Sequence, residues 1–175
     1  MKQASYFWTK IIKIQVMFLK SFEIRWSDLD ANSHLANSAY MNLMSHTRMA
    51  FLQSIGLGLR ELKQAHLGPV VFHEHIHYFK EIFPGKPVQV SLELKGLSED
   101  GRFFAFEHRI FSADGTNNAF CELMGAWIDT NKRTLTAPPA DMLKSFDNAP
   151  KTADFKILTK EDTRAYNRKP VDLKV

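Results

Sequence analysis

Three turn dipeptides, Pro84-Gly85, Asp100-Gly101 and Asp114-Gly115, cut the middle of this chain into segments of strand length and constrain its fold more than any other feature. Four runs with strand character stand around them: Val70 to Phe83, Pro87 to Leu97, Phe103 to Ala113 and Asn118 to Lys132. A parallel pair needs a crossover of a dozen or more residues, so connections this short predict antiparallel hairpins. The expected arrangement is a meander. Val88, Val90, Leu92 and Leu94 alternate with Gln89, Ser91, Glu93 and Lys95, the period of two expected when one sheet face is buried and the other wet.

Ahead of the meander lies a helix signal. From about Asn37 to Ile55, the residues Tyr40, Leu43, Met44, Thr47, Ala50, Phe51 and Ile55 recur at the i, i+3, i+4, i+7 spacing of one buried helix face. Gly56 and Gly58 end it. A short amphipathic turn, Leu59 to Gln64, leads to Gly68-Pro69, and Phe18 to Trp26 reads as a first strand. The sum is an α+β protein in which an antiparallel sheet wraps its apolar face round one long helix. With 175 residues, 45% of them hydrophobic, and no repeats, the chain reads as one domain with a core over about 18–136. The tail from Pro138 reads as a short helix near Ala140 to Phe146 and then a loosely attached segment.

Chemistry concentrates between the first strand and the helix. Asp28, Asp30, Asn32, His34 and Asn37 precede Tyr40, with Asp30, Asn32 and His34 at i, i+2 and i+4. In a turning segment these three converge near the positive end of the helix. There a carboxylate activates water, an amide orients it and an imidazole polarises a carbonyl. The plainer reading is turn and cap chemistry, in which Asn32, Ser33 and Asn37 satisfy backbone N–H groups and Asp28 orients its loop. Capping does not call for an Asp-x-Asp pair, a histidine and a tyrosine together.

The segment resembles the signature of the hotdog-fold acyl thioesterases, which include 4-hydroxybenzoyl-CoA thioesterases, small bacterial acyl-CoA thioesterases and plant acyl-carrier-protein thioesterases. Where that family shows Asp-Leu-Asp-Ala-Asn-Gly-His-Val-Asn-Asn, then Tyr and an Arg-bearing helix, this chain has Asp28-Leu29-Asp30-Ala31-Asn32-Ser33-His34-Leu35-Ala36-Asn37, then Tyr40 and Arg48. The resemblance implies a hotdog fold and hydrolysis of an acyl-CoA or acyl-carrier-protein thioester, without a cofactor. Asp30 is then the catalytic acid, with Asn32 and His34 as partners and Asp28 in support. It also implies that Tyr40 and Asn37 line the substrate site, and that Glu81 of Tyr78-Phe79-Lys80-Glu81 is a second carboxylate at it. Homodimers or homotetramers formed through the second main strand, Val70 to Phe83, are expected on the same ground.

Departures from the family pattern are visible. Ser45 and His46 stand where family helices carry glutamates, and Gly85-Lys86-Pro87 replaces the usual Gly-Asp. Two rival readings stay open: a hotdog enoyl-thioester hydratase or dehydratase, whose Asp-x-Asn-Pro-x-His motif has a proline and one more residue than Asp30 to His34, and a non-catalytic acyl-thioester binding domain.

The remaining features narrow the choice. His73, His75 and His77 share one strand face, yet the first and third stand about 13 Å apart and do not share one ion, so no metal site is expected. They read instead as half-exposed strand histidines or as a strip beside a subunit interface. Cys121, the single cysteine, sits in an apolar run and reads as a buried hydrophobe in a reducing compartment. The net charge of +4 and pI near 9.2 suit anionic ligands. The cations are scattered and match no nucleic-acid motif. Lys10, Lys13 and Lys20 interrupt the apolar residues at the start of the chain, which predicts neither a signal peptide nor a membrane span. A soluble cytoplasmic enzyme of lipid metabolism is expected, with an N-terminal extension over 1–17 that packs on the domain or on a partner.

Overall fold

The computed structural model describes residues 17–166 and 168–173, and the N-terminal extension lies outside them save for Met17. Strand β1 (Phe18–Phe22) is followed by a 3-10 turn at Trp26–Asp28, then helix α1 (Asn37–Ser54) and the short helix α2 (Leu59–Gln64). Strands β2 (Leu67–Tyr78), β3 (Val88–Ser98), β4 (Phe103–Phe111) and β5 (Asn117–Asp129) build the sheet. A two-residue strand β6 (Thr134–Leu135), helix α3 (Ala140–Lys144) and strand β7 (Lys151–Leu158) complete it. The sheet has seven strands in the order β1-β3-β4-β5-β2, with β6 on β5 and β7 on β3.

Helix α1 forms where the apolar stripe predicts, and Gly56 stops it at φ 81°, a backbone conformation that costs side-chain-bearing residues steric strain. Its N-cap is Ala36 and no side chain caps it, so Asn37 is the first helical residue and not a cap. The first half of the buried face, Ala39, Tyr40, Leu43 and Met44, packs with Val88, Val90, Ile110 and Cys121. The second half, Phe51 and Leu52, packs with Leu92, Leu94, Phe106 and Trp127. On β3, Val88, Val90, Leu92 and Leu94 are at most 2% exposed, so their predicted face is the one against the helix.

The expected four-stranded meander is corrected by the strand order. β3, β4 and β5 do form consecutive hairpins, but β2 pairs antiparallel with β5 and not with β3. Residues 79–87 do more than turn at Pro84-Gly85. Extended, that many residues reach about 30 Å, enough to cross the three strand spacings of about 14 Å that separate β2 from β3. The pairing of β2 with β5 leaves β2 on the outer edge of the sheet.

The C-terminal segment is likewise corrected from loosely attached to integral. β7 runs parallel to β3 and takes the stretch of its edge that β1 leaves uncovered. Gly96 makes room for it, since a Cβ there would meet the Leu158 side chain at 2.7 Å. Phe146, Ala149 and Leu158 are all at most 3% exposed and extend the core well past residue 136.

Candidate active site

The acidic loop is built by its own backbone. Asp28 Oδ2 accepts the Arg25 N–H at 2.9 Å, and its carbonyl accepts the Ala36 N–H at 2.8 Å, so Asp28 ties the loop's two ends together. Inside that clamp, Asp30 Oδ1 accepts the N–H groups of Asn32 at 2.8 Å and His34 at 3.1 Å. The Asp30 carbonyl accepts the Ser33 N–H at 3.0 Å, and the Asp30 N–H donates to the His34 carbonyl at 2.8 Å. Closing a turn this tightly forces Ser33 to φ 62°, in the left-handed region.

A second segment faces the loop. The Leu35 N–H donates to the Ile82 carbonyl at 2.8 Å, which docks residues 79–83 beside α1. Asn118, 2% exposed, holds that segment from β5: its carbonyl accepts the Phe79 and Lys80 N–H groups, and its Nδ2 donates to the Glu81 carbonyl at 3.2 Å. Its Oδ1 accepts from the Ser112 N–H at 3.0 Å and hydroxyl at 2.7 Å. Glu81 Oε1 thereby stands 3.7 Å from His34 Nδ1, and the His34 ring meets Phe83 edge-on at 4.8 Å.

Between the two segments lies an open cleft of about 730 Å³. Asp30, His34, Asn37, Tyr40 and Glu81 line it, so five of the residues singled out in the sequence come together there. Tyr78, Phe79 and Phe83 supply an aromatic wall. The Tyr40 ring is edge-on to Tyr78 at 5.0 Å; burial, and then the charges of Tyr78, Asp30 and Glu81, keep its phenol protonated by raising its pKa. Asn32 and Asp28 stand outside the lining. Asn32 is exposed and meets Asp30 through its backbone N–H, and Asp28 acts on the loop's ends.

Arg48 also stands away from the cleft. It makes a partly buried ion pair at 2.8 Å with Glu74 of β2, and its Nη1 lies 3.5 Å from Nε2 of His108 on β4. Burial, and then the Arg48 charge, depress the His108 pKa to about 3, so the ring is neutral; Nδ1 donates to the Ser91 carbonyl at 2.7 Å. The pair pins the helix to the edge strand. Cys121 is fully buried, and burial followed by the Glu74 charge pushes its thiol up to about 12.

Sequence reasoning missed Asn118, Glu74 and His108. Asn118 follows a turn and resembles any hairpin asparagine, and its link to Glu81 spans 37 residues. The signals for Glu74 and His108 are polar residues at helix-facing positions of β2 and β4, which local alternation records only as breaks in the pattern.

A long helix held in the curl of an antiparallel sheet, with an acidic loop at its N-terminus beside an open cleft, defines a hotdog-fold protein. The model of the thioesterase-like superfamily matches residues 24–146, and the chain belongs to that superfamily. It is 27% identical over 121 residues, 69% of its length, to the L-carnitine dehydrogenase/betainyl-CoA thioesterase of Agrobacterium fabrum, and it spans 24% of that relative's length. Among solved structures, a Staphylococcus aureus hypothetical protein in complex with CoA matches with a TM-score of 0.71 at 20% identity, covering 90% of this chain and 96% of that one. The 1,4-dihydroxy-2-naphthoyl-CoA thioesterase of Synechocystis matches with a TM-score of 0.64 at 15% identity, covering 74% and 94%. At such identities these structures establish the shared fold.

Proposed function

We propose that the protein hydrolyses an acyl thioester, of coenzyme A or of acyl carrier protein, at the Asp30 cleft. The observation that carries this reading is the grouping of Asp30, His34 and Glu81 on one open cleft beside the α1 N-terminus, in a chain of the thioesterase-like superfamily. The relative named as a betainyl-CoA thioesterase and the neighbour in complex with CoA support the coenzyme A form of the substrate.

The chemistry follows from the groups present. The first-turn N–H groups of Asn37 and Ser38 have no acceptor within the helix, so a thioester carbonyl oxygen placed over them meets two donors and the positive end of the helix. Asp30 then takes a proton from water as hydroxide adds to the carbonyl carbon, or it attacks that carbon itself to give a mixed anhydride that water later opens. By either route the C–S bond breaks and the thiolate leaves to take up a proton. His34 and Glu81 orient the water, Asn32 and Asp28 hold the carboxylate through the loop backbone, and Tyr40 bounds the acyl group.

We further infer that two copies join through β2, whose outer edge is unpaired among the described residues. Val71, Phe72, Tyr78 and Phe79 along and just beyond that edge are between 42% and 57% exposed, and an uncovered strand edge flanked by apolar side chains favours pairing with another copy. Tyr78 and Phe79 also line the cleft, so pairing there would wall the acyl site with residues of both copies. Among the described residues no helix is long and apolar enough to cross a membrane, and we infer that the enzyme works in the cytoplasm.

Free-thiol release from a panel of acyl-CoA esters, followed beside enoyl absorbance, tests the activity. Thiol release is expected. Loss of enoyl absorbance without thiol would make the protein a hydratase, and silence in both would make it a binding domain.

A further inference from the structure

The opposite face of β2 carries a second cleft. Along this strand Glu74 and Tyr78 turn toward α1, whereas His73 and His75 turn outward and lie beneath Tyr166 of the C-terminal segment. Around them is a cavity of about 650 Å³. Arg164, Arg168 and Lys169 line it, and among the described residues no carboxylate does. Other cations of this face are neutralised at close range: Lys95 by Glu107, Glu122 and Asp154, Arg109 by Glu93 and Glu107, and Lys156 by Asp162. Among the described residues no acidic group pairs with the three that line the cavity.

The rest of the lining is aromatic. Tyr166 lies over His75 at 4.1 Å between ring centroids, tilted by 40°, and stands edge-on to His73 at 5.0 Å, yet stays 49% exposed. Phe72, at the rim, is 42% exposed. Both nitrogens of His73 are buried without a hydrogen-bond partner. A concave site with three cations that no described acidic group pairs with, an accessible flat ring and an unmet imidazole suits a ligand that joins a polyanion to a planar ring.

We propose that this cleft binds a nucleoside phosphate, with the phosphates held by Arg164, Arg168 and Lys169 and the base stacked on Tyr166. The ligand is a molecule separate from any substrate in the Asp30 cleft. Six residues of β2, about 20 Å, run from Phe72 to Tyr78, and the two clefts lie on opposite faces of the sheet. Its charged and stacking residues from 163 onward also fall outside the 24–146 stretch that the superfamily model matches. These residues are placed where occupancy would hold the C-terminal segment against β2.

Calorimetric titration of the full chain with ADP, pyrophosphate and adenosine tests this without any turnover. ADP is expected to bind at least about ten-fold more tightly than either fragment. The double variant Arg164→Ala/Arg168→Ala should weaken ADP about ten-fold or more, and Tyr166→Ser should bring ADP down to the level of pyrophosphate. Asp30→Asn should bind ADP as the unsubstituted protein does. These side chains are exposed, so a failure to fold is not expected, and a circular dichroism spectrum of each variant checks it. No measurable ADP binding, equal binding of pyrophosphate, an unaffected double variant, or loss of ADP binding in Asp30→Asn would each overturn the proposal.

Discussion

Ser33 shows how the acidic loop is held and at what strain. Its φ of 62° follows from the two backbone hydrogen bonds that Asp30 Oδ1 accepts on either side of it, and the family signature carries glycine at this place. Ser33→Gly should therefore raise stability by about 1 kcal/mol, the left-handed penalty less the extra backbone entropy of glycine. Urea unfolding of the two proteins measures it, and a destabilised glycine variant would mean that the turn is not strained. His108 offers a second test at this scale. Its folded pKa of about 3 lies below the ordinary 6.5, so below that ordinary value the unfolded chain takes up a proton that the folded one refuses. Stability is complete above pH 6.5 and falls as pH drops toward 3. Between pH 6 and 4 the unsubstituted protein should lose about 1.4 kcal/mol per pH unit more than His108→Gln, a slope read from unfolding midpoints; equal slopes would contradict a neutral buried ring.

At the scale of elements, β7 is the piece that local pattern did not reveal. Its sequence alternates weakly, with Thr152 and Leu158 buried and Asp154 and Lys156 exposed between them, and its place depends on the free edge of β3 and the missing side chain of Gly96. Leu158→Ala should cost about 2–4 kcal/mol, lowering the melting temperature by roughly 5–12 °C for a domain of this size. A shift near zero would return the segment to the status of a loose tail. By contrast, α1 and the β3-β4-β5 hairpins were legible in advance, because an apolar stripe and a turn dipeptide are local signals. Gly85, Gly101 and Gly115 take φ of 102°, 73° and 83° at the three turns, so the dipeptides mark real reversals even where the pairing differs. Which strand neighbours which is settled by long-range packing, and the reading of β2 beside β3 failed on that ground. The site divides in the same way: the Asp30 to His34 motif announced its residues, while Asn118, which holds Glu81 from another strand, left no local trace.

For the whole molecule, the proposed pairing through β2 would link assembly to activity. Sedimentation at working concentration should give a particle of twice 20.1 kDa or a larger even multiple, and a fully active monomer would contradict a site shared between copies. The most direct measurement of the chemistry at Asp30 is thiol release from acyl-CoA by the unsubstituted protein and by Asp30→Asn, side by side. The asparagine keeps a carbonyl oxygen to accept the N–H groups of Asn32 and His34, so the loop should survive while the carboxylate is lost. A fall in kcat of at least about 10²-fold at unchanged melting temperature is the expected result; equal turnover by the two proteins would contradict the assignment of the chemistry to Asp30.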